Sequence, residues 1–348
     1  MDTTTTTAAP PLAGLRVLEL GQLIAGPFVG KTLADFGATV IKVEPPDGDP
    51  LRQWRLLHDG TSVWWQVQSR GKQSVVLDLR SEAGRAAVRA LAAECDVLIE
   101  NFKPGTMEKW GLGYDALAAA NPALVMLRIS GYGQSGPYRD LPGFAVVAEA
   151  MGGLRHLMGE PGRPPVRAGV SLGDTLAALH GVIGVLLALQ ARHRDGRGQV
   201  VDVALYESVF NCMESLLPEY SAFGAVRQPA GSALPGIAPS NAYRCADGMV
   251  VIGGNGDSIF RRLMRAVERP DLADDPALAT NALRVPRVAE IDAAIEVWTA
   301  PRAVADVVAA LQAASVPVGR IYTVADIAAD AHYRARGMIE RMTLADGS

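Results

Sequence analysis

The segment GVSLGDTLAALHGVIGVLLALQARH runs from Gly169 to His193. It sets one acid, Asp174, directly before sixteen residues, Thr175 to Gln190, that carry no formal charge when His180 is neutral. A carboxylate there can serve two ends. As a helix N-cap it accepts a bond from an orphan N–H two or three residues on, and the pattern taken alone favours that reading. As a nucleophile it is kept ionised by the helix N-terminus and made reactive by an apolar, poorly solvating pocket. The two readings are compatible, so other residues must decide.

Other constellations are weaker. Gly21, Gly26 and Gly30 do not form G-x-G-x-x-G, which leaves Glu44, placed where a ribose-binding acid would stand, without its partners. GPFVGKT (26–32) falls one residue short of a phosphate-binding loop, and Pro27 removes a backbone N–H that such a cradle needs. His58, His156, His180, His193 and His332 show no metal-ligand spacing, and there is no G-x-S-x-G elbow. The basic residues say more. Arg70, Lys72, Arg80, Lys103 and Lys109 form short clusters at or near the ends of expected strands, where together they would grip a polyanionic ligand.

The bulk properties bound these options. The chain has 348 residues, 49% hydrophobic and 20% charged, with net charge −4, which suits a two-domain globular enzyme and gives no reason for affinity to nucleic acid or membrane surfaces. Cys95, Cys212 and Cys245 lie far apart without a CxxC, as expected in a reducing cytoplasm. The N-terminus lacks a signal-peptide pattern and reads as a disordered leader over 1–11. The apolar run after Asp174 reads as too short to span a bilayer, and as a helix buried on all sides.

The elements that must position Asp174 alternate. Strands are predicted over 15–20, 38–44, 74–79, 96–100, 124–130 and 199–205, with helices over 26–37, 81–94, 144–154 and 206–223 and the long one after Asp174. This predicts an α/β fold, a doubly wound Rossmann-like parallel sheet over 12–224. A Gly/Pro/Ser-rich stretch, 224–241, leads to a hairpin and helices, a smaller α+β domain over 225–322, and 323–348 then starts back toward the large domain.

LAGLRVLELGQLIAGPFVGKTLADFGATVIKVEPP resembles the N-terminus of the class III CoA-transferases, the carnitine and formyl-CoA:oxalate group that also includes α-methylacyl-CoA racemases. So do SRGKQSVVLDLRSEAG, DVLIENFKPGTMEKWGL, ISGYGQSGPY, LGDTLAALHGVIGVLLAL and DGRGQVVDVALYES, in order along nearly the whole chain. The resemblance makes Asp174 the nucleophile. It implies that acyl-CoA and CoA are substrates, with no permanently bound cofactor. Transfer to an acid, a small dicarboxylate by analogy, then runs through aspartyl anhydride and aspartyl-CoA thioester intermediates. It places the CoA site on Leu23, Ile24 and Ala25 (the turn), Leu77 and Arg80 (the adenine and phosphate region), Asn101, Phe102 and Lys103, and Lys109, where the family often has Arg. Arg167 and Tyr132 become candidate carboxylate contacts. It also implies an interlocked, ring-like homodimer. Three departures stand out. Ala145 replaces the acid of the family's GFD, so a second acid near the site is missing. Phe144 replaces the histidine that racemases carry there, which leaves racemase, like a non-catalytic CoA-binding protein, as an alternative. The chain also stops about fifty residues before relatives end, as a fragment or a shortened member would.

Overall fold

The structure is a computed structural model and describes residues 8–341. The expected leader therefore lies outside the described residues up to position 7, as does the end of the 323–348 segment. Its last part belongs to the fold instead: the Pro10 carbonyl accepts a bond from Ala13 N–H, and the Pro10 ring packs where a side chain on Gly37 would stand. The chain divides into two compact units, one up to Pro229 and one from Ala230.

The first unit opens with β1 Arg16–Glu19, α1 Ala25–Asp35 and β2 Thr39–Glu44. A small hairpin, β3 Leu57–His58 and β4 Thr61–Ser62, precedes α2 Val63–Ser69. Next come β5 Lys72–Val76, α3 Glu82–Glu94, β6 Val97–Glu100, α4 Thr106–Lys109, α5 Tyr114–Ala118 and β7 Val125–Ser130. The rest is α6 Ala145–Met151, α7 Leu154–Leu157, α8 Leu172–Asp195, β8 Val200–Ala204, α9 Leu205–Phe210 and α10 Leu216–Phe223. Six strands pair in parallel in the order β5-β2-β1-β6-β7-β8. The order reverses between β1 and β6, which opens a crevice at their carboxyl ends. Alternation along β1 sends Val17 to a core shared with α1 and α8, and Leu18 to a core shared with α3, so both faces of the sheet are covered.

Two expectations about α8 need correction. At 24 residues it is long and apolar enough to cross a membrane, so shortness is not what argues against a span. Its place in the fold does: Ala177, Ala178, Val185, Ala188 and Leu189 join the core over the sheet. Gly181 and Gly184 let it lie close, since a Cβ there would come within 2.9 Å of Leu127 and 2.5 Å of Val201. Nor is it buried on all sides, because Leu179, Ile183, Leu186 and Leu187 form an exposed stripe. The helix expected over 206–223 is likewise two helices. The chain breaks between Phe210 and Leu216, where Glu214 takes a left-handed backbone (φ 49°).

The second unit carries a three-stranded antiparallel sheet in the order β11-β10-β9: β9 Ser240–Cys245 and β10 Gly248–Gly253 form the hairpin, and β11 Val318–Arg320 pairs with β10. Its core joins Tyr243 and Ile252 to Phe260, Ile291, Trp298 and Leu311 from the flanking helices.

Candidate active site

A cavity of about 390 Å³ lies at the carboxyl edge of the sheet. It is lined by the turn after β1 (Gln22 to Ala25), the end of β6 (Asn101, Phe102), the end of β7 (Ile129 to Gly131) and Leu205 after β8. Gly143 to Val146, Trp54, Arg167, Ser171 and Asp174 complete it. This is the switch-point crevice in which open parallel sheets bind ligands.

The turn is held in an unusual backbone by charges buried beneath it. Leu23 has φ 64°, a left-handed conformation costly for a branched side chain. Its N–H donates to both Asp49 oxygens at 3.2 Å, and the Lys42 ammonium donates to the Gly21 carbonyl at 2.6 Å. Lys42 also pairs with Asp49 (2.9 Å) and Glu19 (3.1 Å). The Asn101 amide closes the crevice wall, accepting from Gln22 N–H (2.8 Å) and donating to the Gln22 carbonyl (2.9 Å). Asn101 thus lines the cavity but spends its polar atoms on the turn. The N–H groups of Ile24, Ala25 and Gly26, at the start of α1, have no acceptor among the described residues.

The reading of the basic clusters as one polyanion grip is corrected for Lys72 and Arg70. Lys72 donates to Glu19 (2.7 Å) and to the Pro27 carbonyl (2.7 Å), with its side chain 1% exposed. Gly30 has to be glycine beside this pair, because a Cβ there would sit 1.8 Å from Glu19 Oε2. Arg70 is bound to Asp35. Glu44 binds no ribose. It is buried and accepts from Arg52, Ser74 Oγ and Asp49 N–H, and although burial alone would raise its pKa, these donors hold it down at about 2. The physical reason is strand order: β1, β2 and β5 are neighbours, so residues distant in sequence neutralise one another inside.

Asp174 is not the N-cap. Ser171 occupies that position without a side-chain cap bond, and Asp174 is the third helical residue. Ser171-Leu-Gly-Asp174 has the spacing of a capping box, but the reciprocal bonds are not made. The Asp174 side chain lines the cavity, and its carboxylate accepts no hydrogen bond among the described residues. Burial pushes its pKa up to about 6, and the nearby Glu149 charge adds to this while Arg167 opposes it.

The expectation that a second acid is missing is therefore wrong. Ala145 does replace one, but Glu149 stands one helical turn further along α6 and faces the same way. It is 3% exposed, accepts Gly173 N–H at the start of α8 (3.3 Å), and binds Arg155 (2.9 Å) and Arg167 (3.3 and 3.4 Å). A lone acid in the apolar run AVVAEAM was the available sequence signal.

The cavity brings together Leu23, Ile24, Ala25, Asn101, Phe102, Arg167 and Asp174. Leu77, Arg80, Lys103, Lys109 and Tyr132 do not line it. Leu77 packs partly into the α3 core, Arg80 is exposed and paired with Asp78 (2.9 Å), and Tyr132 packs on Tyr138 and Tyr206. Lys103 and Lys109 are exposed and make no ion pair among the described residues. The two chain segments that carry these residues, Leu77 and Arg80 after β5 and Lys103 and Lys109 after β6, nevertheless both leave the same carboxyl edge of the sheet. Sequence reasoning missed Trp54, Ser130, Glu149 and the Lys42–Asp49 anchor.

Fold and cavity together define a doubly wound α/β protein with one unbonded carboxylate in its ligand crevice. The family described as CoA-transferase family III matches residues 12–348, and the chain belongs to it: it is a CoA-transferase. It is 50% identical to the succinyl-CoA:D-citramalate CoA-transferase of Chloroflexus aurantiacus, over 94% of this chain and 83% of that one. It is 36% identical to the succinate:glutarate CoA-transferase of Agrobacterium fabrum, over 97% and 87%. Among solved structures, a CAIB/BAIF family protein from Brucella suis superposes with a TM-score of 0.85 at 40% identity, over 95% of this chain and 89% of that one.

Proposed function

We propose that the enzyme moves CoA from a CoA thioester to a small dicarboxylic acid through covalent intermediates on Asp174. The observation that carries this reading is an unbonded carboxylate in the switch-point cavity, which the turn leading into α1 also lines with unpaired N–H groups. The Asp174 oxygen attacks the thioester carbonyl, the C–S bond breaks, and an acyl–aspartyl anhydride and CoA thiolate form. The thiolate attacks the aspartyl carbonyl, expelling the donor carboxylate and leaving an aspartyl-CoA thioester. The acceptor carboxylate displaces CoA in its turn, and the thiolate takes the new acyl group, restoring Asp174. No net proton is consumed. The unpaired N–H groups of Ile24 and Ala25, two residues that line the same cavity, serve to stabilise the oxyanions. Dicarboxylates are favoured because the relatives are named for citramalate and glutarate.

CoA is longer than the cavity. Strands lie ~4.8 Å apart, so the loops after β5 stand about 10 Å from the β1 turn across β2, within reach of an extended nucleotide tail. This assigns Leu77 and Arg80 to its far end and Lys103 and Lys109 to its phosphates, with CoA arriving as substrate and not as a resident cofactor. A racemase reading gains nothing, since Phe144 lines the cavity where a second base is needed and no lining residue is a histidine.

The test is covalent trapping. During turnover, intact-mass analysis should show enzyme carrying acyl or CoA, and hydroxylamine should leave a hydroxamate at Asp174. Product formation with an unmodified Asp174 would overturn the mechanism.

The enzyme further acts as a cytoplasmic homodimer. Its cysteines are free, and the stripe of Leu179, Ile183, Leu186 and Leu187 is a continuous apolar surface of the kind proteins cover with a partner. Light scattering should give a dimer for the wild type and a shift to monomer for Ile183→Glu. A wild-type monomer would refute the assignment.

A further inference from the structure

Among the described residues, the charged ones that line the cavity are Asp174 and Arg167. The Arg167 guanidinium is half-used. Its Nε and Nη2 lie 3.3 and 3.4 Å from the Glu149 oxygens, while Nη1 has no partner among the described residues and the side chain is 42% exposed. Glu149 is fixed by Arg155 and by Gly173 N–H, so it anchors one edge of Arg167 and leaves the other free. A guanidinium with one edge anchored and one edge open is suited to bidentate capture of a carboxylate.

Charge balance points the same way. In the resting site two guanidiniums, Arg155 and Arg167, face two carboxylates, Glu149 and Asp174. Once Asp174 is acylated it is neutral, and two cations face one anion. An acyl group ending in its own carboxylate restores the balance, whereas one with an uncharged tail leaves a partly desolvated cation uncompensated.

We propose that Arg167 binds the far carboxylate of a dicarboxylic acid whose near carboxylate reacts at Asp174, and that Glu149 is the positioning residue that holds Arg167 there. The proposal rests on the Asp174 mechanism above. It is tested by comparing acceptors in purified enzyme: succinate and glutarate against butyrate and valerate. In a ping-pong reaction, kcat/KM for the acceptor does not depend on the donor, so the ratio isolates recognition of the second carboxylate.

Arg167→Met should lower the ratio of kcat/KM for the dicarboxylates to kcat/KM for the monocarboxylates roughly 10- to 100-fold, the range for losing a charged hydrogen bond. Arg167→Lys should recover only part of the loss. Glu149→Gln, which keeps the shape and the bond to Gly173, should lower the same ratio through KM while also moving the acid limb of the pH profile down. Arg167→Met should move that limb up, because the two residues act oppositely on Asp174. Equal losses for both acid classes, or an unchanged ratio, would overturn the proposal. A wild type never trapped at Asp174 would instead remove the mechanism beneath it.

Discussion

Replacing Asp174 by alanine should lower CoA transfer at least ~10³-fold while leaving CoA binding in place, the result expected when a covalent step loses its nucleophile. The side chain makes no hydrogen bond that the fold depends on, so the loss should fall on kcat and not on folding. Steady-state kinetics with calorimetric titration of CoA separates the two. Full activity in the variant would dismiss the assignment. Wild-type activity should also fall as pH drops through about 6, because burial, with Glu149 adding to it, raises the pKa of a group that must be ionised to attack.

The isosteric Asp174→Asn adds a stability readout. In the unfolded chain Asp titrates near 4, so its folded pKa is the higher one. Its contribution to stability is then full below pH ~4 and is lost as pH rises through about 6. Asn, neutral throughout, should melt at a higher temperature than wild type at pH 7.5 and equally below pH ~4. The carboxylate is partly exposed, which limits the gain to ~1–2 kcal/mol. A nucleophile held at the expense of stability would show this trade, whereas a structural carboxylate would show the reverse.

Lys42→Met should destabilise the protein by ~3–5 kcal/mol, a large part of a typical stability of about 5–15 kcal/mol. Lys42 is 1% exposed. Burial alone would pull its pKa down, but Glu19 and Asp49 outweigh that and raise it, so it is charged inside the fold. Methionine fills the space but leaves Asp49 without its cation and frees the Gly21 carbonyl. Glu19 retains Lys72. Because Asp49 and Lys42 together hold the turn at Leu23, weaker CoA binding should accompany the loss. Chemical denaturation and CoA titration would measure both. A stable variant with unchanged CoA affinity would show that the turn does not depend on this pair.

The fold was readable because its signals are local. VMLRIS is a run with little alternation, and β7 is buried at every position, as expected for a parallel strand covered on both faces. Helix ends were legible where the chain carries the residue its geometry needs, as at Ser81, which caps α3 by accepting from Gly84 N–H. The break between α9 and α10 was not, because the apolar pattern runs on through it.

The sequence by itself determined the alternation of strand and helix, the acid set before α8, and the family to which the chain belongs. All of these lie in contiguous residues. Tertiary structure decided which charges are partners. Lys72 reads as a surface base and is sealed against Glu19, 53 positions away. Glu44 stands in sequence where a ribose-binding acid would and is neutralised by Arg52. Glu149, which sequence reasoning did not single out, stands near Asp174. Electrostatic energy depends on separation in space and on exclusion of water, and neither is set until the strands take their order.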